Sequence, residues 1–171
     1  MKELKPLDSK ILFELLRNAR VSDRKLAKIL GVSQATVSRR RATLEKEAIE
    51  GYTAIPKWDK LGYEILSLAL VKTRPVFSSK EKYEAVRKRG IGWLMNQSNV
   101  IMGGACEGMG FSSFVISLHK SYADYNEFIR KIRLDMGELI DDLQTIIINL
   151  SATERIKPLH LKYLAREKLD E

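Results

Sequence analysis

The chain has 171 residues, 44% of them of hydrophobic type, and 30 Lys and Arg against 22 Asp and Glu, a formal net charge of +8. That length suits one large domain or two small ones, and the apolar share is that of a globular protein, which argues against a disordered chain. No apolar run approaches the ~20 residues of a membrane span, residues 1–8 hold charges and a proline instead of a signal region, and Cys106 alone cannot close an internal disulfide.

A soluble cytoplasmic protein is therefore expected. His119 and His160 stand far apart with no Cys or His at ligand spacing, so neither a metal nor a cofactor is expected. The charge is unevenly spread: residues 1–60 carry 14 basic and 8 acidic side chains, the other 111 residues 16 and 14. A basic excess in the first third of a chain points to a polyanionic partner.

Three helix starts lie in that third. Each shows an apolar residue, a capping residue, and an apolar residue four places after the cap: Leu7-Asp8 with Leu12, Val21-Ser22 with Leu26, Val32-Ser33 with Val37. A cap accepts from the unpaired backbone N–H groups of the first turn, and the apolar pair clamps the chain as it joins the helix. The first helix is expected from about Ser9 to Asn18, with Ile11, Leu12, Leu15 and Leu16 on its apolar face. The second is expected from about Asp23 to Leu30, stopped by Gly31. The third starts after Ser33 and runs to about Glu47.

Only Gly31, Val32 and Ser33 separate the second helix from the third, which is the turn of a helix-turn-helix. The third helix is then the recognition helix. The starts of such helices meet base edges, where Gln and Ser form hydrogen bonds and Ala or a Thr methyl touches thymine. Gln34, Ala35, Thr36 and Ser38 are assigned to this role, Arg39 and Arg40 to phosphate or guanine, and Lys25 and Lys28 to phosphate, with Ser33 counted among the DNA-binding residues. Double-stranded DNA is the expected partner.

In the C-terminal half, Gly51 to Ile55 reads as a short linker strand with Trp58 as an anchor. Glu64 to Thr73 is apolar on both faces, a buried strand. Ser79 to Gln97 reads as a helix capped by Ser78 or Ser79. Val100 to Cys106 reads as a strand ending in a glycine-rich turn, Phe111 to Leu118 as a strand, Tyr122 to Met136 as a helix and Leu143 to Leu150 as the last strand. The order β-α-β-β-α-β is a ferredoxin-like unit. Two helices cover one sheet face, and Ile65, Ala69, Val71, Val115 and Ile147 are expected on the open face. Such a face needs a cover. A second copy of the chain is the simplest one; the alternative is the tail, with Pro158 at a helix start followed by Leu161, Leu164, Ala165 and Leu169. The expected fold class is thus α+β. A winged-type helix-turn-helix domain of three helices (1–50) is followed by a linker strand (51–62), a ferredoxin-like domain (63–152) and a helical tail (153–171).

The chain resembles the Lrp/AsnC regulators, the feast/famine regulatory proteins. The resemblance is carried by Asp8-x-x-Ile11-Leu12-x-x-Leu15, Arg20-Val21-Ser22-x-x-x-Leu26-Ala27, Leu30-Gly31-Val32-Ser33, Val37-x-x-Arg40-x-x-x-Leu44-Glu45, Ile49-x-Gly51-Tyr52 and Leu61-Gly62-Tyr63. It implies a transcriptional regulator whose C-terminal RAM domain assembles dimers and often octamers and takes a small-molecule effector. By that resemblance Gly103, Gly104, Glu107, Gly108 and Gly110 fall in the effector region. Three departures stand out, the first being that the segment Glu45 to Ile49 is about one residue short and lacks the glycine that usually ends the recognition helix. Arg41 occupies a place usually held by an inward Val or Ile, where its stem can snorkel or pair with Glu45 one turn on. Phe111-Ser112-Ser113 stand where an aspartate is usual. Sirohaem decarboxylases share the two-domain plan, but Gln97-Ser98-Asn99-Val100 holds no histidine where their motif falls. No catalytic set appears. An architectural DNA-binding protein of low specificity would use the same basic surface.

Overall fold

Pro6 opens the first helix. A proline lacks the N–H that a first helical residue would leave unpaired, so it fits the first turn, and in the computed structural model α1 spans Pro6–Arg17. The structure describes residues 4–74, 79–151, 157 and 160–165. The helix starts three residues before the expected Ser9. Asp8 is accordingly no cap: it lies in the first turn of α1, buried, while Lys5 precedes the helix without a side-chain cap.

The next two starts fall where expected. Ser22 caps α2 (Asp23–Leu30), its hydroxyl accepting from Lys25 N at 3.3 Å. Ser33 caps α3 (Gln34–Glu47) and accepts from Thr36 N at 3.1 Å. Gly31 ends α2 in the left-handed conformation, φ 66°, which a residue without a Cβ adopts at little cost. Ile11, Leu15, Val21, Leu26, Ala27, Val37 and Leu44 form a buried cluster, with Leu7, Leu12, Leu30, Val32 and Ile49 packed against it.

The chain divides into two compact units, one formed by 1–55 with 156–171 and the other by 56–155. Within the first, Leu161–Ala165 forms a 3₁₀ turn. Ala165 is fully buried, and its carbonyl accepts from Arg17 Nη2 at 2.8 Å. Pro158 and Leu169, read as parts of a tail helix, lie outside the described residues. Residues 51–55 form no strand, contrary to expectation. A strand needs a paired neighbour, and the sheet of this chain offers none to that segment.

The second unit follows the expected order: β1 (Ile65–Thr73), α4 (Lys80–Met95), β2 (Val100–Gly108), β3 (Phe111–His119), α5 (Tyr122–Met136) and β4 (Ile140–Asn149). The strands form one antiparallel sheet in the order β2-β3-β1-β4. Trp58, in a 3₁₀ turn ahead of β1, meets Tyr63 edge-on at 6.4 Å. Ser79 and Ser121 cap α4 and α5. Ala69 and Val115 meet Phe128 and Ile132 of α5 in the core, with Trp93, Leu94, Ile129 and Leu143 against them.

Those contacts reverse the expected sheet faces. Ile65, Ala69, Val71 and Val115 lie on the helix-covered face, and by strand alternation Ile147 shares it. The opposite face carries Leu66, Leu68, Leu70, Phe114, Ile116, Ile146 and Ile148. Period-2 alternation separates the faces of β1 but cannot name the covered one, since both are apolar. The covered face also holds polar residues, which concealed it. Ser67 Oγ and Ser117 Oγ stand 2.8 Å apart, and His119 Nε2 lies 3.2 and 2.9 Å from them. All three are fully buried.

The His119 ring packs against Tyr125 (5.5 Å) and Phe128 (5.2 Å) of α5, and its Nδ1 has no hydrogen-bond partner among the described residues. Burial holds its pKa below the ordinary value, with Asp124 acting the other way. A depressed folded pKa means that the unfolded chain takes up a proton first. The stability due to neutral His119 is whole above pH ~6.5 and is lost as pH falls below it. Urea denaturation between about pH 7.5 and about pH 5.5 is expected to show stability falling by up to ~1.4 kcal/mol per pH unit from this group. His119→Gln, which can still bond to the serines, should remove that part of the slope. An unchanged slope in the variant would refute the assignment.

Candidate nucleic-acid interface

At 3.6 residues per turn, positions three and four apart share a helix face. Val37 and Leu44 are the buried residues of α3. Arg40 lies three after Val37 and four before Leu44; Arg41 lies four after Val37 and three before Leu44. Both arginines therefore flank the buried face. Gln34, Ala35, Ser38 and Arg39 lie away from it and are exposed. Gln34 and Arg39 have no side-chain partner among the described residues, so their donors are free for a ligand.

The remaining predicted residues fall in three groups. Lys25 and Lys28 are exposed on α2 with unpaired ammonium groups among the described residues. Ser33 and Thr36 are occupied with one another, their hydroxyls 2.8 Å apart at the cap of α3. Arg40, assigned to DNA on sequence, is half-buried and turned to α1, where its Nη1 lies 3.5 Å from Asp8 Oδ2. Asp8 Oδ1 and Arg40 Nε are buried without hydrogen-bond partners among the described residues. This long, partly satisfied pair braces α1 against α3. The sequence carried the signal, since the spacing of Arg40 from Val37 and Leu44 already set it on the inner face.

Arg41 is the best-connected side chain of the helix. Its Nη1 donates to Val21 O and to Asp23 Oδ1, each at 3.1 Å, and its Nη2 to Ala19 O at 3.5 Å. Its Nε donates to Glu45 Oε1 at 3.1 Å, the pairing expected one turn on, and its guanidinium lies 5.5 Å from the centre of the Tyr52 ring. Burial opposes the charge of Arg41, but bonding to Tyr52, Glu45 and Asp23 outweighs it and raises the pKa. The guanidinium thus ties α3 to the turn before α2. Sequence reasoning missed Asp23. Its Oδ2 accepts from Ser38 Oγ at 2.6 Å, a contact between residues fifteen apart that no helical period announces.

The glycines of the expected effector region serve local structure. Gly103 and Gly104 belong to β2 and not to a turn, since β2 runs on to Gly108. A Cβ on Gly103 would meet Leu94 Cδ1 at 3.5 Å, and one on Gly104 the Phe114 ring at 3.4 Å. Glu107 is exposed on β2. The turn itself is short: Gly108, Met109 and Gly110 all take positive φ there. Among the described residues no cluster of three or more His, Cys, Asp or Glu could hold a metal, and no helix is long and apolar enough to cross a membrane.

The family model of the AsnC-type helix-turn-helix domain matches residues 6–45, from α1 through most of α3. The HTH-type transcriptional regulator LrpA of Pyrococcus abyssi is 41% identical over 86 residues, which cover 46% of this chain and 61% of LrpA. The matched stretch thus falls short of two thirds of that relative's length. The leucine-responsive regulatory protein of Rhizobium meliloti is 26% identical over 147 residues, 85% of this chain and 88% of its own. Among solved structures, a transcriptional regulator of Neisseria meningitidis in complex with L-Met superposes with a TM-score of 0.75 at 19% identity, covering 95% of this chain and 99% of that one. AsnC of E. coli gives 0.68 at 20% identity, covering 92% and 99%. At these identities the structural likeness is one of fold.

Arg41→Met keeps an apolar stem and deletes the guanidinium, leaving the Val21 and Ala19 carbonyls and Asp23 without it. A loss of about 2–3 kcal/mol is expected on chemical denaturation. Arg39→Met should stay within about 0.5 kcal/mol of the unaltered protein. Equal effects of the two substitutions would contradict the inner placement of Arg41.

Proposed function

We propose, from the premise that residues 6–45 are an AsnC-type helix-turn-helix in a chain with the fold of the Lrp/AsnC regulators, that the protein is a sequence-specific DNA-binding transcriptional regulator acting as a dimer or higher even oligomer. One observation carries this reading. Gln34, Ala35, Ser38 and Arg39 form an exposed row at the start of α3, beside the exposed Lys25 and Lys28 of α2. Polar side chains and an arginine at a helix start suit base edges in the major groove, and flanking lysines suit phosphates. Arg40 and Thr36 support that surface from within and leave the reading to their neighbours. The cytoplasm follows as the place where such a protein meets DNA.

The open sheet face supports the oligomer. Leu66, Leu68, Leu70, Phe114 and Ile116 are half-buried or less, and Ile146 and Ile148 are 53% and 44% exposed. A contiguous apolar face of this kind favours a partner, and a second copy brings the same face by two-fold symmetry. An enzymatic role draws no support from the Ser67–Ser117–His119 cluster, because all three residues are sealed from solvent. The L-Met complex of the Neisseria regulator makes a small amino acid the first effector class to assay.

Selection of bound DNA from a random pool, at two salt concentrations, tests the function. The expected product is a pseudo-palindrome with half-sites about one helical turn, ~34 Å, apart. Affinity should fall steeply with salt, and Gln34→Ala should alter the preferred sequence. Salt-sensitive binding without a motif would favour an architectural protein instead. Sedimentation velocity tests the assembly: Ile146→Glu should halve the dimer mass, and an undiminished mass would rule out pairing through the sheet.

A further inference from the structure

The contact between Ser38 and Asp23 fixes the direction of a hydrogen bond that has not yet been made. Ser38 Oγ lies 2.6 Å from Asp23 Oδ2, while Asp23 Oδ1 accepts from Arg41 Nη1 at 3.1 Å. An ionised carboxylate only accepts, so the serine hydroxyl must donate its one proton to Asp23. The bond is short and charge-assisted, about twice as strong as a neutral one. Turning the proton outward would leave the lone pairs of two oxygens facing each other at that distance. The outward side of Ser38, which is exposed, therefore presents lone pairs and no proton.

We propose that Ser38 reads an exocyclic amino group in the major groove, adenine N6 or cytosine N4, as a hydrogen-bond acceptor, with Asp23 as the positioning residue that sets this polarity. The proposal rests on the reading of α3 as a recognition helix. In the major groove those two amino groups are the base-edge donors, while guanine O6 and thymine O4 offer acceptors only. A serine free to rotate would tolerate either kind; a serine held by Asp23 discriminates. Arg41 makes the device rigid, because it anchors the other carboxylate oxygen of Asp23 and, through its bonds to Val21 O and Ala19 O, holds α3 at that spot.

The geometry also predicts how to reverse the preference. In Asp23→Asn the amide oxygen should stay against the Arg41 guanidinium, since a cation prefers a carbonyl to an amine. The amide nitrogen then faces Ser38 as a donor, and the serine proton is released toward the groove.

The test is selection from random DNA with the full chain and with Ser38→Ala, Ser38→Thr and Asp23→Asn, each checked for folding by circular dichroism. The unaltered protein should show adenine or cytosine on one strand at one position of each half-site, preferred about fivefold or more over guanine or thymine. Ser38→Ala should lose that preference and keep the rest of the motif; Ser38→Thr, which keeps the hydroxyl, should retain it. Asp23→Asn should move the position toward guanine or thymine, a change that loss of mere scaffolding would not produce.

An unchanged motif with Ser38→Ala would overturn the proposal, and a retained amino-base preference with Asp23→Asn would overturn the role of Asp23. Should Asp23→Asn fail to fold, Ser38→Ala decides alone, because it leaves the Asp23–Arg41 bond in place. If the unaltered protein selects no motif, the functional reading fails and this inference falls with it; a motif insensitive to Ser38 removes only the inference.

Discussion

The rotational setting of α3 governs the N-terminal unit. Val37 and Leu44 turn one face of the helix into the core, and on either side of them an arginine reaches inward, Arg40 to α1 and Arg41 to the turn before α2. The two arginines do this at different strength. Arg41 meets two backbone carbonyls and two carboxylates, so its charge is well satisfied. Arg40 meets one carboxylate at the limit of hydrogen-bond length, with a buried Nε left over. A buried charge with incomplete partners contributes little or costs stability. The Asp8–Arg40 pair therefore specifies the approach of α1 more than it strengthens the unit.

With that face committed inward, the outward face is determined by helix geometry. Of three consecutive arginines, only Arg39 offers its whole guanidinium to solvent. The same rotation places Ser38 on the shoulder next to α2, within reach of Asp23. An acidic residue in the first turn of α2 suits the helix dipole, and it serves as acceptor to two side chains of α3 as well. Local stability and the setting of Ser38 thus share one carboxylate.

The C-terminal unit distributes its polarity against the usual pattern. Its helix-covered face encloses two serines and a histidine, and its open face is leucine, isoleucine and phenylalanine. The two serine hydroxyls and His119 Nε2 satisfy one another by hydrogen bonds, which lowers the cost of their burial, while His119 Nδ1 is left without a partner among the described residues. The middle of the open face, around Leu68, Ile116 and Ile146, is apolar and gains by excluding water, while Lys72, Asp142 and Gln144 stand toward one end of it. An uncovered apolar face in the single chain and a covered polar cluster are both accounted for if the unit folds alone but works paired.

Much of this was legible in the residues. Ser22, Ser33, Gly31 and the spacing of Leu26, Val37 and Leu44 mark α2, the turn and α3, because caps, left-handed glycines and helical periods act within a few residues. The alternation of β1 and the steps of α5 mark the ferredoxin-like order for the same reason. Three things needed the tertiary structure. Pro6, a local signal, outweighed the Asp8 cap once Asp8 had a partner thirty-two residues away in Arg40. The covered face of the sheet could not be named, since alternation divides the faces but only the seating of α4 and α5 decides between two apolar ones. The polarity of Ser38 depends on Asp23 fifteen residues earlier and on Arg41 beyond it, a convergence set by packing between helices. The sequence by itself determined the elements and their order, because those rest on short-range sterics and hydrogen bonding; which faces meet, and which protons point outward, follow from contacts between residues that the chain brings together only on folding.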